Sequence, residues 1–140
     1  MPLIVDASVA CKWYLLEEGR LPAMALLTRG ESLLAPDLIF AEVGNVLWKH
    51  CQQNQLTQAQ LEQIANHLSG AIEHAVSCRE LFIDAVELAA RLKHPIYDCY
   101  YLALARRESL PFITADRRLL DTLKGQEWGG KALSLHQLGH

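Results

Sequence analysis

Short apolar runs alternating with long amphipathic segments constrain this chain more than any other feature of it. Residues 3–5 (LIV), 32–35 (SLLA), 74–78 (HAVSC), 111–114 (PFIT) and 131–135 (KALSL) read as strands. Runs such as LIV offer no polar face to water, which is the signature of a strand covered on both sides. The segments between them read as helices. One is predicted over 9–17 and ended by Gly19, and another over 22–29 with Pro22 at its entry. A long one covers 38–52, and the next is opened by the capping-box pair Thr57 and Gln60 and ends near Gly70. Three more are predicted over 79–92, over 96–108 behind Pro95, and over 116–123. Strands that alternate with helices in this way predict an α/β chain, a parallel sheet between two helical layers. Ligands of such folds sit at the carboxyl ends of the strands.

Composition narrows the function. The chain has 140 residues, 51% of them hydrophobic, which fits one domain over 1–140 with a substantial core. A formal net charge of −3 excludes a broad basic field for gripping nucleic acid and leaves local patches open. No apolar run approaches the roughly 18 residues of a membrane span, so no membrane association is expected. The N-terminus lacks a basic region, and Asp6 interrupts its apolar stretch, so no secretion signal is read and a cytoplasmic protein is expected. Cys11, Cys51, Cys78 and Cys99 form no CxxC pair and read as reduced thiols, in keeping with that compartment.

Four acids stand where acids are costly. Asp6 closes the first strand. Glu42 borders the apolar stripe of LIFAEVGNVLW, with Leu38, Val46 and Leu47 on its side of the helix. Asp98 shares a helix face with Tyr101, Leu102 and Ala105. Asp116 follows the strand ending at Thr114. Each has a plain structural reading. Asp6 is then a strand-end polar group and Glu42 a stripe-edge residue, while Asp98 favours the dipole in the first turn of its helix and Asp116 is an N-cap. Together they suggest more, because strand ends and inner helix faces converge on one crevice of a parallel sheet. Carboxylates at ~4 Å repel strongly in a low dielectric, and a divalent cation relieves this. An all-oxygen donor set favours Mg²⁺ or Mn²⁺, the equipment of phosphodiester hydrolysis.

The stretches VDASVACKW, APDLIFAEVGNVLWK, YDCYYLALA and FITADRRL resemble, in order and spacing, the four sequence blocks of PIN-domain ribonucleases. The resemblance is strongest to the VapC-like toxins of toxin–antitoxin pairs, and it covers residues 3 to 123. It implies a three-layer α/β/α sandwich and Mg²⁺- or Mn²⁺-dependent endoribonuclease activity. It also implies an RNA substrate, a cognate antitoxin and a homodimer. It carries the family's acidic positions onto Asp6, Glu42, Asp98 and Asp116, as catalytic residues and metal ligands. Its supporting hydroxyls fall on Ser8 and Thr114. Asp121 is an alternative to Asp116, since the last acid varies most in the family.

Arg106, Arg107, Arg117 and Arg118 flank these blocks and are candidates for RNA phosphate contacts. For the first pair, solvated positions at a helix end are an equal reading. The apolar faces Met24, Leu26, Leu27 and Leu61, Ile64, Leu68 are candidate subunit contacts, with core packing as the alternative. Trp13, Trp48, Tyr97, Tyr100 and Tyr101 follow helical spacing and read as core or subunit contacts rather than base-stacking platforms. The histidines show no HExxH spacing. Two rival functions stand beside the nuclease. One is a PIN-like module that binds RNA or protein without cutting. The other is a haloacid-dehalogenase-like phosphatase, which would want a second aspartate where Ser8 stands.

Overall fold

The computed structural model describes residues 1–138. Five strands form one sheet: β1 (Leu3–Val5), β2 (Leu33–Pro36), β3 (His74–Val76), β4 (Phe112–Thr114) and β5 (Ala132–Ser134). They lie in the order β3-β2-β1-β4-β5, every pair parallel. All residues of β1, β2 and β4 are buried. Successive strand side chains point to opposite faces, so burial of every one means that helices cover both faces. The architecture is the three-layer α/β/α sandwich expected from the apolar runs. The edge strand β3 is partly exposed, with two of its three residues facing solvent.

Among the described residues seven α-helices connect the strands: α1 (Ala7–Ala10), α2 (Arg20–Thr28), α3 (Leu38–Gln52), α4 (Gln58–Ala71), α5 (Cys78–Leu92), α6 (Ile96–Glu108) and α7 (Arg117–Leu123). Helix α6 lies across β1, β2 and β4 and pairs with α5. The predicted capping box is present, with Gln60 N donating to Thr57 Oγ1 and Thr57 N donating to Gln60 Oε1.

The first two helices depart most from expectation; beyond them, Cys78 opens α5 instead of closing β3, and α7 starts at Arg117 because Asp116 is its N-cap. The first helix starts at Ala7, because Asp6 is its N-cap, and gives way to a 3₁₀ turn at Cys11–Trp13 rather than running to residue 17. Buried Trp13 donates its indole N–H to the Ala23 carbonyl at 2.8 Å, which turns the chain towards α2. Pro22 stands third in α2, still in the first turn, where its missing N–H breaks no helical bond.

The candidate subunit faces on α2 and α4 are mostly core. Leu26 and Leu68 are buried, and Leu27, Leu61 and Ile64 pack against the same core; Met24 is the exposed member. Trp13 and Tyr101 are also buried, whereas Trp48 and Tyr97 are exposed. The four cysteines are free thiols, Cys11 and Cys99 being buried.

Candidate active site

From the central strand β1 the chain moves first to β2 and β3 on one side, then crosses to β4 and β5 on the other. The crevice between the carboxyl ends of β1 and β4 is therefore the topological switch point, where open α/β sheets bind ligands. Asp6 follows β1 and Thr114 ends β4, so both stand at that crevice.

Asp6 is 5% exposed and surrounded by hydroxyl donors. Ser8 Oγ donates to Asp6 Oδ1 at 2.6 Å, Thr114 Oγ1 donates to Oδ2, and Val9 N donates to Oδ1 at 3.2 Å. The hydroxyls are themselves pinned by the chain after β4. Ala115 N donates to Ser8 Oγ and Asp116 N to Thr114 Oγ1, both at 3.0 Å. Each hydroxyl donates its one O–H to Asp6 and accepts one backbone N–H, so both hold the carboxylate in a single orientation. Burial nonetheless dominates and pushes the Asp6 carboxyl up to about 6, helped by the charge of Asp98 and opposed by its hydrogen bonds.

Glu42 comes from α3, whose buried stripe is Ile39, Val43 and Leu47. It borders that stripe, half-buried, and its Oε1 accepts from the Tyr101 hydroxyl at 2.7 Å. Its carboxyl is also raised, first by burial and then by Asp98, with the Tyr101 bond opposing. Asp98 stands in the first turn of α6, and its Oδ2 accepts from His94 Nε2 at 2.6 Å. The charge of Asp98 on α6 thus acts on both Asp6 and Glu42. Asp116 caps α7, its Oδ1 accepting from Arg118 N and Leu119 N, and its own N–H ties it to Thr114. Asp121, the alternative, is exposed, five residues along α7 from that cap, and pairs with Lys124 at 3.2 Å.

Two participants were not foreseen, Tyr101 as a donor to Glu42 and His94 as a partner of Asp98. The i,i+4 spacing of His94 and Asp98 was the available signal for the second. The arginines divide. Arg106 pairs with Asp84 and Glu87, and Arg107 with Glu80, at the end of α6 away from Asp98, so the pair fits the helix-end reading. Arg117 and Arg118 lie at the start of α7 beside Asp116, where Arg117 makes an exposed pair with Glu18 at 3.7 Å.

The oxygen donors suit a hard divalent cation. Among the described residues no lysine or arginine pairs with Asp6 or Glu42, and the site has excess negative charge. Among those residues, too, no three acidic, histidine or cysteine side chains already enclose an ion. Each carboxylate has its own hydrogen-bond donor, and Mg²⁺ keeps several waters rather than demanding a protein cage. The adjoining groove, about 490 Å³, is lined by Ser8, Lys12, Glu17, Glu42 and Asn45 among others. A larger cavity of about 680 Å³, between Met1, Pro111 and Trp128, lies at the amino ends of β4 and β5 and holds none of the four acids.

Tyr101→Phe tests the support of Glu42. The Tyr101 ring is 1% exposed and packs 5.9 Å from Phe112, so the substitution keeps the packing and removes one bond. A bond to a charged group contributes roughly 1.5–3 kcal/mol, and the partial exposure of Glu42 places this one near about 1.5 kcal/mol. The variant is expected to melt several degrees lower in thermal denaturation. A melt equal to the parent's would show that the bond adds no stability.

Comparison with known proteins identifies the family and the fold. The family model described as PIN domain matches residues 3–124. Ribonuclease VapC3 of Pyrobaculum aerophilum is 31% identical over 125 residues, spanning 86% of this chain and 94% of that protein. The fold is similar to the crystal structure of PAE2754 from the same organism, with a TM-score of 0.73 at 22% identity over 99% of this chain and 96% of that one. It is also similar to VapBC2 from Rickettsia felis, described as bound to a DNA fragment from their promoter, with a TM-score of 0.65 at 11% identity over 96% of this chain and 98% of that one. The order of acids, the switch-point crevice and these matches agree: the chain belongs to the PIN-domain family and is a relative of VapC ribonuclease.

Proposed function

We propose that this protein is a divalent-metal-dependent endoribonuclease and the toxin of a toxin–antitoxin pair acting in the cytoplasm. One observation carries the chemistry. The charge of Asp98 acts on both Asp6 and Glu42, and among the described residues no lysine or arginine pairs with either, which supports a shared cation between them. The relative named Ribonuclease VapC3 supports RNA as the substrate.

Asp6, Glu42 and Asp98 would hold Mg²⁺ or Mn²⁺, with Asp116 as the fourth acid. Such an ion, when bound, acidifies a water and offsets charge on the scissile phosphate. Ser8 and Thr114 fix both oxygens of Asp6, so that it meets the ion in one orientation. Tyr101 does the same for Glu42. Water then attacks phosphorus in line and the 3′-oxygen leaves, giving 5′-phosphate and 3′-hydroxyl ends.

Incubation of the purified protein with RNA in Mn²⁺ or Mg²⁺, against EDTA, with analysis of product ends, tests this reading. Metal-dependent cleavage with 5′-phosphate ends is expected. Binding without cutting would favour the non-cleaving module. The phosphatase reading is disfavoured because Ser8 stands where that chemistry wants a second aspartate.

An antitoxin partner is proposed on the likeness to VapBC2. A homodimer is proposed as well, through a face other than α2 and α4. Helix α5 exposes Phe82 (50%), Ile83 (82%) and Val86 (44%), an apolar cluster unusual for a solvated helix. Light scattering at micromolar concentration is expected to give a dimer, and Phe82→Asp a monomer. A monomeric parent would overturn this face.

A further inference from the structure

Among the described residues, Lys12 is the one cation lining the groove beside Glu42, alongside Ser8, Glu17 and Asn45. Its side chain is only 15% exposed, low for a lysine. The stem is clamped by Gly19, which sits at φ +87°. A Cβ there would come within 3.2 Å of Lys12 Cδ, so the close approach and the backbone both call for glycine. The ammonium donates to the Glu18 carbonyl at 2.6 Å and pairs with Glu17 Oε1 at 3.4 Å. A third N–H stays uncommitted among the described residues. A mainly acidic groove that must admit a polyanion thus has a single fixed positive charge.

We propose that Lys12 binds a backbone phosphate of the RNA beside the cleaved bond, and that Glu17 is its counter-ion until RNA arrives. The proposal rests on the ribonuclease reading above. Lysine serves as a compact point charge for phosphate, and its tether to the Glu18 carbonyl holds it in place without neutralising it. Glu17 is 42% exposed by side chain and its bond is long, so a phosphate displaces it readily.

The test is binding of a fluorescein-labelled single-stranded RNA, followed by anisotropy over a salt series, in an Asp98→Asn background with Mn²⁺. Lys12→Gln is expected to weaken binding about tenfold at low salt and to reduce the salt slope by about one. Lys12→Arg should keep most of the affinity, and Glu17→Gln should tighten binding. In the cleaving parent, Lys12→Gln should act mainly on KM. Unchanged affinity and slope in Lys12→Gln would reduce Lys12 to a loop tether and overturn the proposal. Should that variant fail to fold, Glu17→Gln decides, unchanged affinity again overturning it. Parent cleavage is measured in parallel. If the parent cuts RNA and the variants bind alike, only the Lys12 assignment falls; if the parent neither binds nor cuts RNA, both readings fall.

Discussion

Replacing Asp98 with asparagine is expected to lower RNA cleavage by about 10²-fold or more while leaving the fold intact. The side chain keeps its shape, and its carbonyl oxygen still accepts from His94 Nε2. What is lost is one negative charge where three carboxylates share a crevice. Charge stabilisation at a reacting centre is worth about 3 kcal/mol or more, which sets the expected loss of rate. Mn²⁺ should bind more weakly, as titration calorimetry would read. Without metal the effect reverses. Asp98 raises the carboxyls of both Asp6 and Glu42, so removing its charge relieves repulsion. The metal-free variant should melt at or above the parent's temperature in EDTA. Cleavage equal to the parent's, or products with 2′,3′-cyclic ends, would refute the mechanism.

The second expectation concerns pH. Burial lifts Asp6 from 3.8 to about 6, so the folded chain holds this proton more tightly than the unfolded chain does. The resulting stability is fully present below about pH 3.8 and is lost as pH rises through about 6. A rise of about two units, each worth about 1.4 kcal/mol, makes the contribution about 3 kcal/mol. Asp6→Asn isolates it from the other carboxylates. In EDTA, denaturant unfolding should show the variant gaining on the parent as pH rises from about 3.5 to 7, most of the gain falling between 3.8 and about 6. Mn²⁺ should then stabilise the parent selectively, with an affinity that falls as pH drops through about 6. A gap between the two proteins that stays flat with pH would show that Asp6 does not titrate in this window.

The resemblance to PIN-domain blocks and the bare placement of acids led to the same crevice by different routes. The acids themselves were legible because each breaks a local rule. A carboxylate ends the apolar run of β1, another borders the stripe of α3, and a third occupies the inner face of α6. Their supports were not legible, because nothing local marks a tyrosine as a donor rather than a core ring.

Local pattern by itself determined the strand runs, the exact span of α3 and α6, the capping box at Thr57, and four acids in order. These follow from backbone periodicity and caps, which depend on residues within about one or two turns of each other. Only the tertiary structure decided that Ser8 and Thr114, separated by 106 positions, both donate hydrogen bonds to Asp6. Only it turned the apolar faces of α2 and α4 inward and left Phe82 and Ile83 outside. An amphipathic helix states that it has an apolar face, but which neighbour covers that face depends on the packing of the whole chain. The same holds at the site. Asp116 and Asp121 are equally acidic in sequence, and the end of β4 alone brings the first to Thr114 and leaves the second in water with Lys124.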